Sequence, residues 1–249
     1  MSVNRRELAQ VLVRDVAAHG AGQPPKLLSS ANGHVIARYN GDAQFRALMD
    51  DMDAIDADGM SLVFLSRLYG TYYLPERVAT TDFFHDAARV AVEHDIGFFM
   101  LGADTEEIER AVSRVRSLYP GLRITGYRDG YFGEDEEADL CRRIRESGTD
   151  LLWVGRGIPK EQDFAVRNRD RLRGVSWVKT CGGLFNFLSG KHSRAPAWMQ
   201  NAGLEWLYRT ILEPGRLGKR YLVTNAQAIY WVSVNGRGSN HSPPAGAGS

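Results

Sequence analysis

Four aspartates within eight residues form the segment best suited to acid–base or metal chemistry: Asp51, Asp53, Asp56 and Asp58. Asp58 directly precedes a run with helical periodicity, where an aspartate commonly caps the helix by accepting a backbone N–H. In a cleft, the same carboxylate would accept a proton from an attacking hydroxyl. The two Asp-x-Asp triplets are also a pattern that can hold a divalent cation under a diphosphate. Such triplets are short and common, however, and a solvated acidic loop explains their repetition better than two metal sites.

Glycines mark a second group of positions, because five of them end or follow predicted strands: Gly102, Gly155, Gly157, Gly182 and Gly183. In an open α/β sheet, ligands bind beyond the carboxyl ends of the strands, where glycine lets backbone N–H groups approach a phosphate. A plain turn is the more common reason for a glycine after a strand. The GxGxxG fingerprint and the GxxxxGK[ST] P-loop are both missing from the sequence, which disfavours a simple NAD-dependent dehydrogenase and a P-loop NTPase.

Short apolar runs alternate with segments of helical periodicity, which is the pattern of βα units around a mostly parallel sheet. The predicted strands are His34–Ala37, Gly97–Gly102, Leu122–Thr125, Asp150–Gly155 and Val175–Thr180. The predicted helices are Arg5–Ala18, Met60–Leu68, Phe83–Glu93, Glu106–Leu118, Glu134–Glu146 and Glu161–Leu172. The sequence therefore predicts an α/β fold: a Rossmann-like, mostly parallel sheet with helices on both faces.

The composition is that of an ordinary folded chain, with 249 residues, 43% hydrophobic and 24% charged content and a formal net charge of +1. That charge gives no global field for recruiting nucleic acid. Two cysteines, Cys141 and Cys181, are too few for a disulfide framework and suit a reducing cytoplasm. Residues Met1–Asp15 lack the apolar core of a secretory signal, and no apolar run approaches the ~20 residues that span a bilayer. We therefore expect a cytoplasmic protein without a transmembrane anchor.

The C-terminal part differs from the rest in charge and aromatic content. Between Arg194 and Trp231, five basic residues stand against two acidic ones, a local balance of +3, and six aromatic rings are interspersed. Basic and aromatic residues together favour a membrane interface, although packing of one helix face on the core explains Trp206 better. Basic residues farther along would attract an anionic leaflet. We predict an α/β core at residues 1–193, a helical membrane-docking appendage at 194–233 and a disordered tail at 234–249.

A set of short motifs extends from about Leu27 to Leu222 in the order and spacing of one family. The motifs are Asp58-Gly59-Met60, Leu74–Val78 with Thr81-Asp82, Phe99–Ala103, Tyr119–Leu122, Asp129–Phe132, Val154–Lys160, Gly182–Phe185 with Arg194-Ala195-Pro196, and Gly203–Arg209. On these motifs, the sequence resembles the WecG/TagA/CpsF glycosyltransferases (glycosyltransferase family 26).

The resemblance implies an inverting enzyme of bacterial surface polysaccharide synthesis. Such an enzyme moves a hexosyl or N-acetylhexosaminyl group from a UDP-sugar to a polyprenyl diphosphate-linked saccharide, on the inner face of the cell membrane. The resemblance also implies no metal or other cofactor and no nucleic-acid partner, and it leaves a homo-oligomer open. The alternative is a protein of the same fold that has lost catalysis and serves as a nucleotide-sugar-binding partner in a polysaccharide assembly complex.

The resemblance assigns roles to individual residues. Asp58 matches the proposed catalytic base of the family, and Asn32 lies in a stretch that resembles the family's Thr-x-Asn, although a turn asparagine would look the same. Arg77 would hold the diphosphate or the sugar, since a guanidinium directs two donors at phosphate oxygens, whereas a salt bridge to Glu76 or Asp82 is the simpler reading without the motif. The other predicted substrate-binding residues are Thr81, Asp82, Gly102, Gly155, Gly157, Pro159, Lys160, Glu161, Gln162, Gly182 and Gly183, and Arg209, Arg216, Lys219 and Arg220 would contact the lipid acceptor or the membrane.

Three local features leave alternatives open. The chain has Lys160-Glu161-Gln162 where the family usually has Lys-Gln-Glu, so either Glu161 or Gln162 faces the sugar. Thr81 and Asp82 either line the cleft or cap a helix that begins at Phe83. Asn186 replaces an aspartate that is common in the family, and we assign it no catalytic role.

Overall fold

The computed structural model describes residues 4–69, 74–202 and 204–212, together with residues 215, 227 and 231. Its six strands are β1 (Lys26–Ala31), β2 (Ala54–Ala57), β3 (Phe98–Gly102), β4 (Ile124–Arg128), β5 (Leu151–Gly155) and β6 (Trp177–Thr180). They form one sheet in the order β2-β1-β6-β5-β3-β4, and every neighbouring pair is parallel. The predicted α/β fold is therefore confirmed.

Helices follow the strands and pack on the sheet. In chain order the α-helices are α1 (Arg5–Ala18), α2 (Gly33–Gly41), α3 (Ala43–Asp50), α4 (Met60–Tyr69), α5 (Thr80–Glu93), α6 (Thr105–Leu118), α7 (Glu137–Glu146), α8 (Lys160–Arg167), α9 (Leu184–Leu188), α10 (Ala197–Asn201) and α11 (Glu205–Leu212). Two segments form 3-10 turns: Glu134–Glu136 and Asp170–Leu172. The first was predicted as the start of an α-helix and the second as the end of another.

The core lies on both faces of the sheet, because helices cover each side. Trp153 in β5 is fully buried and packs against Phe83 and Phe84 of α5 and against Phe98 of β3, with ring centroids 5.1 to 5.8 Å apart. On the opposite face, Phe164 of α8 belongs to a second buried cluster. All residues of β3, β5 and β6 are buried. This explains why β3 and β5 are continuous apolar runs in the sequence, whereas β6 also buries the polar residues Lys179 and Thr180.

The predicted strand His34–Ala37 is wrong, because these residues lie in α2. Asn32 caps that helix: its Oδ1 accepts the backbone N–H groups of His34 at 3.0 Å and Val35 at 3.1 Å. Two real strands, β1 and β2, were not predicted. The first mixes apolar residues with serines, and the second is only four residues long and lies inside the acidic segment.

The expected helix start at Phe83 is also wrong. The helix α5 begins three residues earlier, at Thr80, and its N-cap residue is Ala79, which makes no side-chain capping bond. Thr81 and Asp82 are therefore inside the first turn and do not cap the helix. An acidic residue in a first turn still interacts favourably with the helix dipole.

Two helices, α10 and α11, lie in the predicted C-terminal appendage. Ala195 and Met199 are buried, so the beginning of this segment packs on the core. The predicted tail at 234–249 lies outside the described residues. Among the helices that are described, none combines the length and the apolar character needed to cross a membrane.

Candidate active site

A cleft of about 210 Å³ opens at the carboxyl edge of the sheet. Residues that follow four strands line it, including Asn32 after β1, Asp58 after β2, Ile158 after β5 and Gly182 after β6. Because all strands are parallel, these loops meet at one edge. The four strands are neighbours in the sheet, in the order β2-β1-β6-β5, and ligands of open α/β sheets usually bind beyond the carboxyl ends of the strands.

Asp58 lies half-buried in this cleft. Its Oδ2 accepts hydrogen bonds from the backbone N–H of Thr80 at 3.4 Å and from the Thr80 hydroxyl at 3.2 Å. Burial raises the pKa of Asp58 above its ordinary value; the nearby Arg77 opposes this shift, and the carboxylates of Asp56 and Glu205 add to it. A carboxylate with a raised pKa is a stronger base, so the site favours proton acceptance.

Arg77 lies at the same cleft and is held by an acidic residue of α11. Its guanidinium is 2.8 Å from the Glu205 carboxylate and 3.8 Å from Asp82. Asp82 is also paired with Arg194 and with Arg5. The salt bridge from Arg77 to Asp82, which the sequence analysis gave as an alternative, is therefore present, but it is the longer of the two contacts. Glu205 was not predicted, since 128 positions separate it from Arg77.

Glu161 and Gln162 both line the cleft and both are buried, but their contacts differ. The Glu161 Oε2 accepts the backbone N–H groups of Gly157 at 3.1 Å and Gly182 at 3.0 Å. Burial raises the pKa of Glu161 to about 7, although these two bonds oppose the shift. The Gln162 Nε2 is 3.3 Å from the Ser29 hydroxyl, whereas its Oε1 has no hydrogen-bond partner among the described residues. Gln162 therefore has a buried acceptor that no described group satisfies.

The two glycines that Glu161 connects have backbone conformations that favour glycine. Gly157 has a φ of +76° and Gly182 a φ of +53°. Their loops follow the adjacent strands β5 and β6, so a single carboxylate fixes one loop against the other. Glu161 thus shapes the floor of the cleft.

A buried ion pair lies beneath the cleft and was missed by sequence reasoning. Lys179 in β6 is fully buried, and its Nζ is 2.7 Å from the Asp56 carboxylate of β2 and 2.7 Å from the Ser30 hydroxyl of β1. Burying a charge is costly unless it is paired and hydrogen-bonded. The available signal was a lysine inside a predicted strand, next to the carboxyl edge of the sheet.

The structure brings only some of the predicted site residues to the cleft. Those that line it are Asn32, Asp58, Arg77, Thr81, Glu161, Gln162, Gly182 and Gly183; Asp82, Gly102, Gly155, Gly157, Pro159 and Lys160 lie outside the lining. Gly102 serves packing, because a Cβ there would be 2.2 Å from the Gly155 carbonyl oxygen. The side chain of Arg209 and all of Arg216, Lys219 and Arg220 are outside the described part of the chain.

The four clustered aspartates have separate environments. Asp51 is exposed at the end of α3, and Asp53 pairs with Arg169 at 2.8 Å. Asp56 pairs with Lys179, and Asp58 accepts hydrogen bonds from Thr80. Across the described ranges 4–69, 74–202 and 204–212, no group of three or more His, Cys, Asp or Glu side chains is arranged to hold a metal ion.

Sequence comparison relates this chain to known proteins. The sequence profile of the glycosyl transferase WecG/TagA/CpsF family matches residues 1–242. The chain is 33% identical to the N-acetylglucosaminyldiphosphoundecaprenol N-acetyl-beta-D-mannosaminyltransferase of Bacillus subtilis over 192 residues, which cover 74% of this chain and 73% of that protein. It is 31% identical to the protein of the same name from Bacillus spizizenii over 187 residues, covering 75% and 71%. The chain belongs to the glycosyl transferase WecG/TagA/CpsF family.

Proposed function

We propose that this protein transfers an N-acetylmannosaminyl group from its UDP derivative to a polyprenyl diphosphate-linked N-acetylglucosamine, with inversion at the anomeric carbon. The observation that carries the proposal is the position of Asp58: a carboxylate with a raised pKa in the cleft, beside Arg77. The names of the two relatives supply the sugar and the lipid-linked acceptor. The UDP moiety of the donor is an expectation from the family resemblance.

In this reaction, an acceptor hydroxyl attacks the anomeric carbon of the donor sugar from the side opposite the diphosphate. Asp58 takes the hydroxyl proton as the new C–O bond forms. The bond between the anomeric carbon and the diphosphate breaks, and UDP leaves with the electron pair. A single displacement of this kind inverts the configuration.

The leaving diphosphate gains charge and needs donors that are already in place. Arg77 can supply two N–H groups to phosphate oxygens once its contact with Glu205 is exchanged for the ligand. The free Oε1 of Gln162 can accept a hydrogen bond from a hydroxyl or the acetamido N–H of the donor sugar. We therefore propose that Gln162 contacts the sugar, whereas Glu161 shapes the loops.

We also propose that the C-terminal appendage docks the enzyme on the inner leaflet, where the lipid-linked acceptor resides. Trp198 of α10 and Ile211 of α11 are 65% and 66% exposed, which is unusual for large apolar side chains. The basic residues Arg216, Lys219 and Arg220 follow in the sequence. Exposed rings and basic charge together suit an anionic membrane surface.

A panel of radiolabelled UDP-sugars tests the proposed function. Purified protein is incubated with UDP-N-acetylmannosamine, UDP-N-acetylglucosamine or UDP-glucose and with N-acetylglucosaminyl diphospho-polyprenol. We expect label in the lipid fraction with UDP-N-acetylmannosamine only, with a product mass larger by one N-acetylhexosaminyl residue. Binding of the nucleotide sugar without any lipid product would instead identify a binding partner that has lost catalysis.

An EDTA arm of the same assay tests metal dependence. Since the four clustered aspartates have separate environments, we expect transfer to continue at an unchanged rate in EDTA. Loss of transfer in EDTA, with recovery on addition of Mn²⁺, would require a metal site in the Asp51–Asp58 segment.

A further inference from the structure

A continuous chain of hydrogen bonds joins Asp58 to the buried Lys179. The Asp58 Oδ2 is 3.2 Å from the Thr80 hydroxyl, which is 3.1 Å from the Ser30 hydroxyl, which is 2.7 Å from the Lys179 Nζ. The chain crosses from the loop after β2 through the start of α5 and the strand β1 to β6. It ends at Asp56, whose Oδ2 is 2.7 Å from the same Nζ.

The chemistry of the two ends fixes the direction of every bond in this chain. A lysine ammonium can only donate, so the Ser30 oxygen accepts from Lys179. The single Ser30 hydroxyl hydrogen is then available for the Thr80 oxygen. An ionised carboxylate can only accept, so the Thr80 hydroxyl donates to Asp58. Three donors therefore point in sequence from the lysine to the Asp58 carboxylate.

We propose that Lys179 is a positioning residue for Asp58, which it polarises and orients through the hydroxyls of Ser30 and Thr80 while Asp56 balances its charge. The proposal rests on the proposed role of Asp58 as the base in sugar transfer. Both described hydrogen bonds of Asp58 go to Oδ2, which leaves Oδ1 as the oxygen that can accept the proton of the acceptor hydroxyl.

The hydrogen-bond chain matters because the surroundings of Asp58 disfavour its ionised form. Burial raises its pKa, and two carboxylates, Asp56 and Glu205, are close to it. The cations that face it from other elements are Arg77 and Arg194, and each is shared with acidic partners in the same region. A leaving diphosphate would engage Arg77, whereas a buried lysine beneath the sheet edge cannot be drawn away by the ligand. Lys179 thus keeps Asp58 ionised independently of the substrate.

Charge and packing make Lys179 suited to this task. Its side chain is 0% exposed and Asp56 is 4% exposed, although β2, which carries Asp56, is an edge strand of the sheet. Breaking a buried ion pair by removing one partner leaves an uncompensated charge, so Lys179→Met alone could impair folding. Ser30→Ala leaves the ion pair of Lys179 and Asp56 intact and removes one hydroxyl from the hydrogen-bond chain. Thr80→Val removes the next hydroxyl, the one that donates to Asp58, with almost no change in side-chain shape.

The pH dependence of kcat/KM for sugar transfer tests the proposal. Its acidic limb reports ionisation of the base in the free enzyme. Since a hydrogen bond to the charged form lowers a pKa, we expect Ser30→Ala and Thr80→Val each to move that limb to higher pH by about one pH unit. Thr80→Ser keeps the hydroxyl and serves as the matched control, for which we expect no such shift.

A double variant separates a connected chain from independent local effects. Cutting a linear chain at a second link has no further effect, so Ser30→Ala combined with Thr80→Val should move the acidic limb no farther than Thr80→Val alone. The proposal would be overturned if the acidic limb stayed at the wild-type pH in Ser30→Ala and Thr80→Val. It would also be overturned if the shifts of the single variants added in the double variant. A wild-type protein without transfer, or full activity in Asp58→Asn, would instead refute the proposed function itself.

Discussion

Glu161 is a buried carboxyl on whose ionisation burial and the loop contacts have opposite effects. Its two bonds from Gly157 and Gly182 favour the charged form, yet burial dominates and raises the pKa to about 7 from an ordinary value of 4.5. The folded state therefore binds the Glu161 proton more tightly than the unfolded state between these pH values. It follows that the contribution of this group to stability is greatest below pH 4.5 and falls as the pH rises to about 7.

We predict that Glu161→Gln removes this pH dependence. Between the two pKa values, the wild-type free energy of unfolding should fall by about 3 kcal/mol relative to that of the variant, because glutamine does not ionise. Urea unfolding of both proteins across this range measures the difference. Glu106→Gln, whose side chain is 78% exposed, is the control and should run parallel to the wild type. A constant difference between wild type and Glu161→Gln at all pH values would show that Glu161 is not titrating in this range.

Single residues differ in how well the sequence predicts their place in the site. Asp58 and Arg77 stand in motifs that resemble the family, and both line the cleft. The sequence does not show whether Glu161 or Gln162 faces the sugar, since this depends on which backbone N–H groups lie near each side chain. Lys179 could not be placed either, because its partner Asp56 comes from another strand that the periodicity did not reveal.

At the scale of elements, prediction succeeded where burial and local signals agreed. The helix α1 has the predicted bounds, and Asn4 and Glu7 form a capping box at its start. The strands β3 and β5 are buried on both faces and stood out as apolar runs. The strand β1 did not, because serines in it face the polar network under the cleft. Of the four strands whose loops line the cleft, β5 and β6 were predicted, whereas β1 and β2, which carry serines and aspartates, were not.

The helix α11 brings a negative charge to a cleft that is proposed to bind a diphosphate. Glu205 is 2.8 Å from Arg77 and would repel a phosphate placed beside the same guanidinium. We predict that Glu205→Gln tightens UDP binding roughly threefold to tenfold, which corresponds to at most about 1.4 kcal/mol. Calorimetric titration at constant ionic strength measures this. Glu76→Gln removes an exposed carboxylate next to Arg77 in the sequence and should leave UDP affinity unchanged.

Weaker UDP binding in Glu205→Gln would contradict this account of α11. In that case, the helix would act by holding Arg77 in its binding position, and the loss of that support would outweigh the loss of repulsion. Unchanged binding would show that Arg77 does not meet the diphosphate.

The whole molecule combines an α/β core with a C-terminal segment of opposite charge balance. The segment Arg194–Trp231 carries +3 in a chain of +1, so the remainder carries −2. Each basic residue near an anionic leaflet contributes about 1 kcal/mol of binding energy. We therefore propose that this difference in charge orients the protein on a negatively charged membrane.

We predict that replacing Arg216, Lys219 and Arg220 with glutamine weakens binding to phosphatidylserine-containing vesicles about a hundredfold. Co-sedimentation at low salt measures the change, and binding to neutral vesicles should stay the same. The control replaces three exposed arginines of α7, Arg142, Arg143 and Arg145, with glutamine, which removes equal charge elsewhere on the molecule. Equal losses in both triple variants would show attraction by total charge without a docking surface.

The proposed mechanism depends on the position of Asp58 in the cleft, and replacing this residue is the most direct test. Asparagine keeps the shape of the side chain but cannot take a proton, so Asp58→Asn should lower kcat for N-acetylmannosaminyl transfer about 10²- to 10⁴-fold and leave UDP affinity nearly unchanged. Asp51→Asn, an exposed aspartate of the same segment, is the control and should retain wild-type kcat. Near-normal turnover in Asp58→Asn would contradict the assignment of Asp58 as the base and with it the proposed mechanism.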